Sequence, residues 1–272
     1  LLKNQRADGK FNGMDGNEYS HPIATYALCE AYGMTLNPNV KAAAERAIVP
    51  IIKGQLPTGG WEYRMSLVGV RKEKKKDKSG KEYEVTLPPQ DDTSFMGWCA
   101  QALKAAKLAK IHADGLEKAI KLAVRGFKKN SSPDGGFGYT SPGKGGLTAT
   151  GTLCMQLLGA SNDSDVKKAL EVIDAWKPTF SHYEPVAEVI KKLTPDDLIK
   201  KDKNGKPVLD DKGEVVKLSP MEVAKGRLVS TVAADEKMFY TSSPQYYFYY
   251  ATQAKFHEGG KHWANWNKAM MA

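Results

Sequence analysis

Gln55-Leu56-Pro57-Thr58-Gly59-Gly60-Trp61-Glu62-Tyr63 is the stretch on which the fold turns. It consists of a glutamine, three residues, a glycine, any residue and an aromatic, and it has a copy at Gln5-Arg6-Ala7-Asp8-Gly9-Lys10-Phe11. A third copy, with serine for glutamine, runs Ser131-Ser132-Pro133-Asp134-Gly135-Gly136-Phe137-Gly138-Tyr139. Repetition at a near-regular interval sets an architecture before any site is considered. The second interval is longer than the first, and the two become comparable once the charged stretch 64–88 is counted as an insertion.

After each phrase comes a segment of small and apolar residues: 21–32 (HPIATYALCEAY), 92–108 (DTSFMGWCAQALKAAKL) and 148–158 (TATGTLCMQLL). A fourth, 244–256 (PQYYFYYATQAKF), has no phrase of its own before it. Apolar or small residues on most faces predict helices buried all round. Each is followed by an amphipathic segment, 39–53, 114–129, 163–176 and 261–271, with charges between apolar residues three and four apart. The alternation predicts an all-α chain of inner and outer helices, about four helical hairpins in one domain over 1–272. The phrase glycine is expected to take the left-handed conformation that ends an outer helix, with the aromatic packing between neighbouring hairpins.

The phrase and the helix alternation together resemble the QW repeats of the squalene and hopene cyclases and the related repeats of protein prenyltransferase β subunits. The resemblance covers 1–176 and, more weakly, 244–272, and it implies an α/α toroid or an open arc of one. A complete toroid of that superfamily has about six hairpins, and the chain opens at Leu1 inside a repeat, so it reads as a processed or trimmed product. Fold does not carry function here, because the superfamily includes cyclases, transferases and non-enzymatic proteins.

Two insertions interrupt the pattern. The first, 64–88, holds Val68-Gly69-Val70 and Tyr83-Glu84-Val85-Thr86-Leu87 around Lys78-Ser79-Gly80-Lys81, which predicts a β-hairpin. The second, 181–243, holds another hairpin candidate at 203–218 and helical stretches near 184–193 and 220–232. Insertions of this length either shape a binding surface or seal an edge of the fold.

Composition narrows the classes of function. The chain has 272 residues, 41% of them hydrophobic, and a net charge of +9. Much of that charge lies in 71–82, a run expected to be a solvated loop or hairpin. Nucleic-acid recognition needs basic residues interleaved with stacking aromatics or placed on a recognition helix, and neither occurs. No run of eighteen apolar residues is present, so no membrane span is expected. Cys29, Cys99 and Cys154 sit in apolar helical patterns and read as small core residues, neither a disulfide framework nor a zinc site. Nothing in the sequence names a compartment, a metal or a cofactor.

The sharpest chemical candidate is Gln90-Asp91-Asp92-Thr93, just before the second inner helix. The resemblance sets Asp91 at the position of the cyclases' protonating acid and Asp92 beside it, with Pro89 where a further aspartate would stand. The competing role is N-capping, in which an aspartate accepts from free backbone N–H groups at a helix start. The prenyltransferase zinc set is broken, because Ser94 stands where its cysteine ligand would be. His21 holds in the first repeat the position that Asp92 holds in the second, nine residues before Glu30 and Gln101 respectively. Together they form a candidate acid and base, or ligand pair, at the rim. Tyr26, Trp98, Tyr246 and Tyr249 on the inner helices, with Tyr63 and Tyr139 two residues after a phrase aromatic, are candidate ligand-binding residues or plain core.

The expected function is that of a squalene-cyclase-like toroid binding a partly apolar, isoprenoid-class ligand, with acid-initiated chemistry at Asp91 if the ligand is turned over. Two other readings stay open. One is a non-catalytic repeat scaffold that binds a protein or an acidic polymer through its insertions. The other is a glycosidase or lyase with carboxylates at the rim.

Overall fold

A computed structural model describes residues 1–11, 18–65, 71–77, 79–177, 186–235 and 244–271. The chain is predominantly helical. The helices are α1 (Ser20–Thr35), α2 (Pro38–Lys53), α3 (Thr93–Leu108), α4 (Leu116–Lys129), α5 (Leu147–Leu157), α6 (Ser164–Ala175), α7 (Val186–Lys191), α8 (Pro220–Asp235), α9 (Pro244–Glu258) and α10 (Gly260–Met271). Each lies where the periodicity predicts it, within a few residues. Side-chain caps fix several of the starts: Asn37, Asp92 and Asp163 accept from Asn39, Phe95 and Asp165 N–H groups respectively, and Ser219 and Glu222 cap α8 reciprocally.

The packing order repeats. Leading helices α1, α3, α5 and α9 pack in a row, each against the next, and each is backed by its own trailing helix, α2, α4, α6 or α10. Each trailing helix also touches the following leading helix: α2 on α3, α4 on α5, α6 on α9. Burial follows this order. Helix α3 is buried over most of its surface from Thr93 to Ala106, with Ser94, Trp98 and Lys104 half-buried, and α5 is buried throughout from Thr148 to Gln156. Trailing α4 buries one stripe, Leu116, Ala119, Ile120, Ala123, Gly126 and Phe127. The expectation that every leading helix is buried all round fails at α1, where Ile23, Ala27 and Glu30 are exposed, and at α9, where Tyr249 and Phe256 are. The strong partners of α1 are α2 and α3, so its remaining face meets water.

The three phrases fold alike and dock alike. In the first, Arg6 N–H donates to Lys10 C=O and Gly9 N–H to Arg6 C=O. The pairs Leu56–Gly60 with Gly59–Leu56, and Ser132–Gly136 with Gly135–Ser132, repeat that pattern. Gly9, Gly59 and Gly135 have φ of 83°, 104° and 86°. The glycine therefore closes a tight hairpin-type loop with a left-handed residue. It does not end the outer helix as expected: the α2 C-cap is Gly54, with φ −82°.

Gln5 Nε2 donates to Gly9 C=O (3.1 Å) and Ala43 C=O on α2 (2.9 Å); Gln55 Nε2 does the same to Gly59 C=O (2.8 Å) and Ala119 C=O on α4 (3.0 Å). Ser131 Oγ makes the shorter equivalent to Asp165 on α6 (2.9 Å). One turn onward the glycines meet backbone: a Cβ on Gly9, Gly59 or Gly135 would lie 2.3, 2.0 or 2.8 Å from the carbonyl oxygen of Arg46, Leu122 or Lys168. Each phrase thus seats its glycine directly on the trailing helix that follows it. The aromatics Phe11, Trp61 and Phe137 are buried beside it, and Trp61 Nε1 donates to Ile51 C=O at 2.8 Å.

Between the second phrase and α3 lies a β-hairpin, β1 (Arg71–Lys76) antiparallel to β2 (Glu82–Leu87), with Arg71 opposite Leu87 and Lys76 opposite Glu82. The strand expected at Val68–Val70 lies outside the described residues. Lys72, Lys74, Lys76, Glu82 and Glu84 share one face, where the three lysines pair with the two glutamates. Between α7 and α8 three short segments bridge one another, Ile199 to Lys217, Lys201 to Pro207 and Leu209 to Val215. Helix α7 packs on α8. Cys29, Cys99 and Cys154 are free and buried, and burial pushes the Cys29 thiol up to about 12. No helix among the described residues is long and apolar enough to cross a membrane.

Candidate functional site

Asp91 and Asp92 are adjacent in sequence but face different partners. Asp91 is fully buried; Lys129 Nζ lies 2.7 Å from its Oδ2 and the Thr58 hydroxyl donates to its Oδ1 at 2.5 Å. Its backbone oxygen accepts from Asn130 Nδ2 at 2.8 Å. A Cβ on Gly60 would come 2.3 Å from Asp91 Oδ1, so the glycine makes room for the carboxylate. Asp91 therefore ties the Gln55 phrase to the end of α4. Asp92 is the N-cap of α3: its Oδ1 accepts from Phe95 N–H (3.0 Å) and the Ser94 hydroxyl (2.5 Å).

His21 is buried, and its Nδ1 accepts from Phe11 N–H at 3.2 Å. Thr148 Oγ1 accepts from Phe137 N–H at 3.3 Å. The structural counterpart of His21 is therefore Thr148; Asp92, two residues earlier relative to its helix start, corresponds to Tyr19 at the start of α1. With Nδ1 accepting, the ring proton sits on Nε2, which faces the Ala47 carbonyl without a well-formed hydrogen bond. Burial, helped by Lys10, pushes the imidazole down to about 4. His21 is thus neutral near pH 7, and the groups it meets are Phe11 and Ala47.

Around Asp92 the structure assembles a cluster that only partly follows the sequence pattern. Tyr63 and Tyr139, from two different phrases, meet hydroxyl to hydroxyl at 2.5 Å. Tyr139 also reaches Asp92, and Tyr19 Oη lies 2.6 Å from Ser94 Oγ. Burial and then the Asp92 bond push the Tyr139 phenol up; for Tyr19, burial is again the main cause. Tyr19 and Ser94 carry no sequence signal of their own, because their partners lie 75 residues apart.

One turn along α3 from Ser94, on the same face, stands Trp98. Its ring lies 6.5 Å from Tyr26 on α1 and 6.4 Å from Tyr250 on α9. Tyr246 and Tyr249 lie 4.8 and 5.0 Å from Tyr250. The Tyr250 hydroxyl accepts from Gln101 Nε2 at 3.4 Å, and that of Tyr246 from Thr150 at 3.3 Å. All four aromatics expected on the leading helices therefore fall in one array, joined by Tyr250. Tyr26, Trp98 and Tyr246 are half-buried and Tyr249 is exposed. The result is a strip with hydroxyls and a carboxylate at the α3 N-terminus and aromatic rings below.

A scan against models of known protein families gives no match, and a search of curated proteins finds none significantly similar. The site rests on its own geometry.

Proposed function

We propose that this chain is a squalene-cyclase-like repeat protein, its hairpins curving into an α/α toroid or an open arc of one, that binds an elongated, partly apolar ligand of the isoprenoid-alcohol class. The observation that carries the reading is the strip on α3. The accessible Tyr63–Tyr139 hydroxyl pair, anchored from behind by buried Asp92, offers a hydroxyl head group donors and acceptors. The half-exposed rings of Tyr26, Trp98, Tyr246 and Tyr249 offer an apolar body a surface to cover. The repeated register of the three phrases supports the fold half of the reading.

The reading favours binding over acid-initiated chemistry. A protonating carboxyl must present its proton to the ligand, whereas both Asp91 oxygens are taken, one by Lys129 and one by Thr58. The same engagement speaks for the non-catalytic scaffold as the rival reading. A glycosidase needs two carboxylates facing across a bond, and Asp91 and Asp92 are both held by the protein itself.

Titration of the full chain with a short polyprenol, followed by tryptophan fluorescence and thermal shift, tests this. Saturable binding is expected, weakened at least tenfold by Trp98→Ala and unchanged by Asp91→Asn in protein that remains folded. Tyr139→Phe is expected to reduce the preference for the alcohol over its parent hydrocarbon. Absence of binding to any polyisoprenoid, with oligosaccharides run in parallel, sinks the proposal. Loss of binding in folded Asp91→Asn restores the acid.

A further inference from the structure

A second group of ionisable side chains gathers where α6, α9 and α10 meet, away from the strip on α3. Lys255 is fully buried, and its ammonium lies 2.7 Å from Asp174 Oδ1 and in contact with Glu258 Oε2. The other oxygen of each carboxylate faces His262. Asp174 Oδ2 is 3.2 Å and Glu258 Oε1 is 3.7 Å from its Nδ1. Ligand-capable atoms of Asp174, Glu258 and His262 all lie within 4.8 Å of one another, and all three residues are half-exposed.

Those separations suit a small cation. A tetrahedral ion with bonds of about 2.0–2.1 Å holds its ligands roughly 3.3–3.5 Å apart, a range that the two measured distances to Nδ1 bracket. Charge points the same way. Asp174 lies in the last turn of α6 and Glu258 ends α9. Unsatisfied carbonyls there make the negative ends of two helices, which favour cations, against the one positive N-terminus of α10 at Gly260. One ammonium offsets one of the two acids, so with a neutral imidazole the cluster keeps a net negative charge.

We propose that Asp174, Glu258 and His262 form a binding site for a zinc-class divalent transition-metal ion. Lys255 is its positioning residue, holding the far oxygen of each carboxylate so that the near ones converge. One imidazole nitrogen with two carboxylate oxygens suits zinc, cobalt or nickel better than magnesium or calcium. Three protein ligands leave a coordination position for water. His262 Nδ1 must be deprotonated to bind, so the ion replaces the His262–Asp174 hydrogen bond. A bound ion also clamps the last hairpin to α6.

Calorimetric titration of the full chain with zinc, and the visible spectrum with cobalt, test the site. One saturable zinc site is expected, with a cobalt spectrum of low coordination number. His262→Ala and the milder His262→Gln are each expected to weaken zinc at least tenfold; His257→Ala, at an exposed position on α9, leaves it unchanged. Circular dichroism checks that each variant is folded. No saturable binding to the wild type, or binding indifferent to both His262 substitutions, overturns the proposal.

Discussion

His21 stands where a sequence reader looks for chemistry, at the start of a helix beside an aromatic phrase, and the fold uses it as a hydrogen-bond acceptor for Phe11 N–H. Its stacking on the Phe11 ring, 6.1 Å between centroids, fits that role. The consequence is a pH dependence of known sign. The unfolded imidazole titrates near 6.5 and the folded one near 4, so between these values the unfolded chain binds more protons. Stability from this group is present in full above pH 6.5 and falls as pH drops towards 4, by about 3 kcal/mol. Urea midpoints at pH 7 and pH 4 are expected to differ more for wild type than for His21→Gln; equal differences would falsify the assignment. Asp91 teaches the complementary lesson. The sequence shows a pair of carboxylates before a helix, a pattern shared by acids and caps alike. What separates the two residues is Lys129, 38 positions away, and the space left by Gly60. Only the fold brings these together.

At the scale of elements, the tight loop of the phrases also occurs at Asp77–Lys81, Asp202–Lys206 and Asp210–Glu214. There an aspartate accepts from backbone N–H groups two and four residues on, and Gly80, Gly205 and Gly213 have φ of 85°, 78° and 82°. The loop geometry is therefore not what makes the phrase; the docking is. Gly80 has nothing within 4 Å of an added Cβ, while Gly59 has the Leu122 carbonyl oxygen at 2.0 Å. Both alanine substitutions carry the left-handed strain of roughly 1 kcal/mol. Gly59→Ala must also push α4 away, so it is expected to lower the melting temperature by several degrees more than Gly80→Ala. Similar losses from both variants would show that the phrase merely turns the chain. Helix positions were legible because burial imposes a period of 3.6 residues, and the glycines because left-handed backbone favours them. The seating of each loop on a helix was not, since its partners lie 38, 64 and 34 residues away.

Across the whole molecule, the row of leading helices makes a core to which the β1–β2 hairpin adds little. The strong contacts of β1 and β2 are with each other, and Tyr83 at their surface is exposed. Replacing residues 66–87 by a short glycine-serine linker is therefore expected to leave the melting temperature within about 2 °C of wild type, a cost set by loop closure alone. A loss of cooperativity in calorimetry would mean that the hairpin braces the core. The same feature explains how the middle separation, 64 residues, can differ so much from the other two while the glutamine contact stays the same. The phrase is latched to its trailing helix and Asp91 to the phrase, so these contacts do not depend on the length of chain that carries the hairpin. The hairpin turn at Gly80, open on all sides, is therefore where a foreign peptide or a reporter domain is expected to ride on the helices without loosening them.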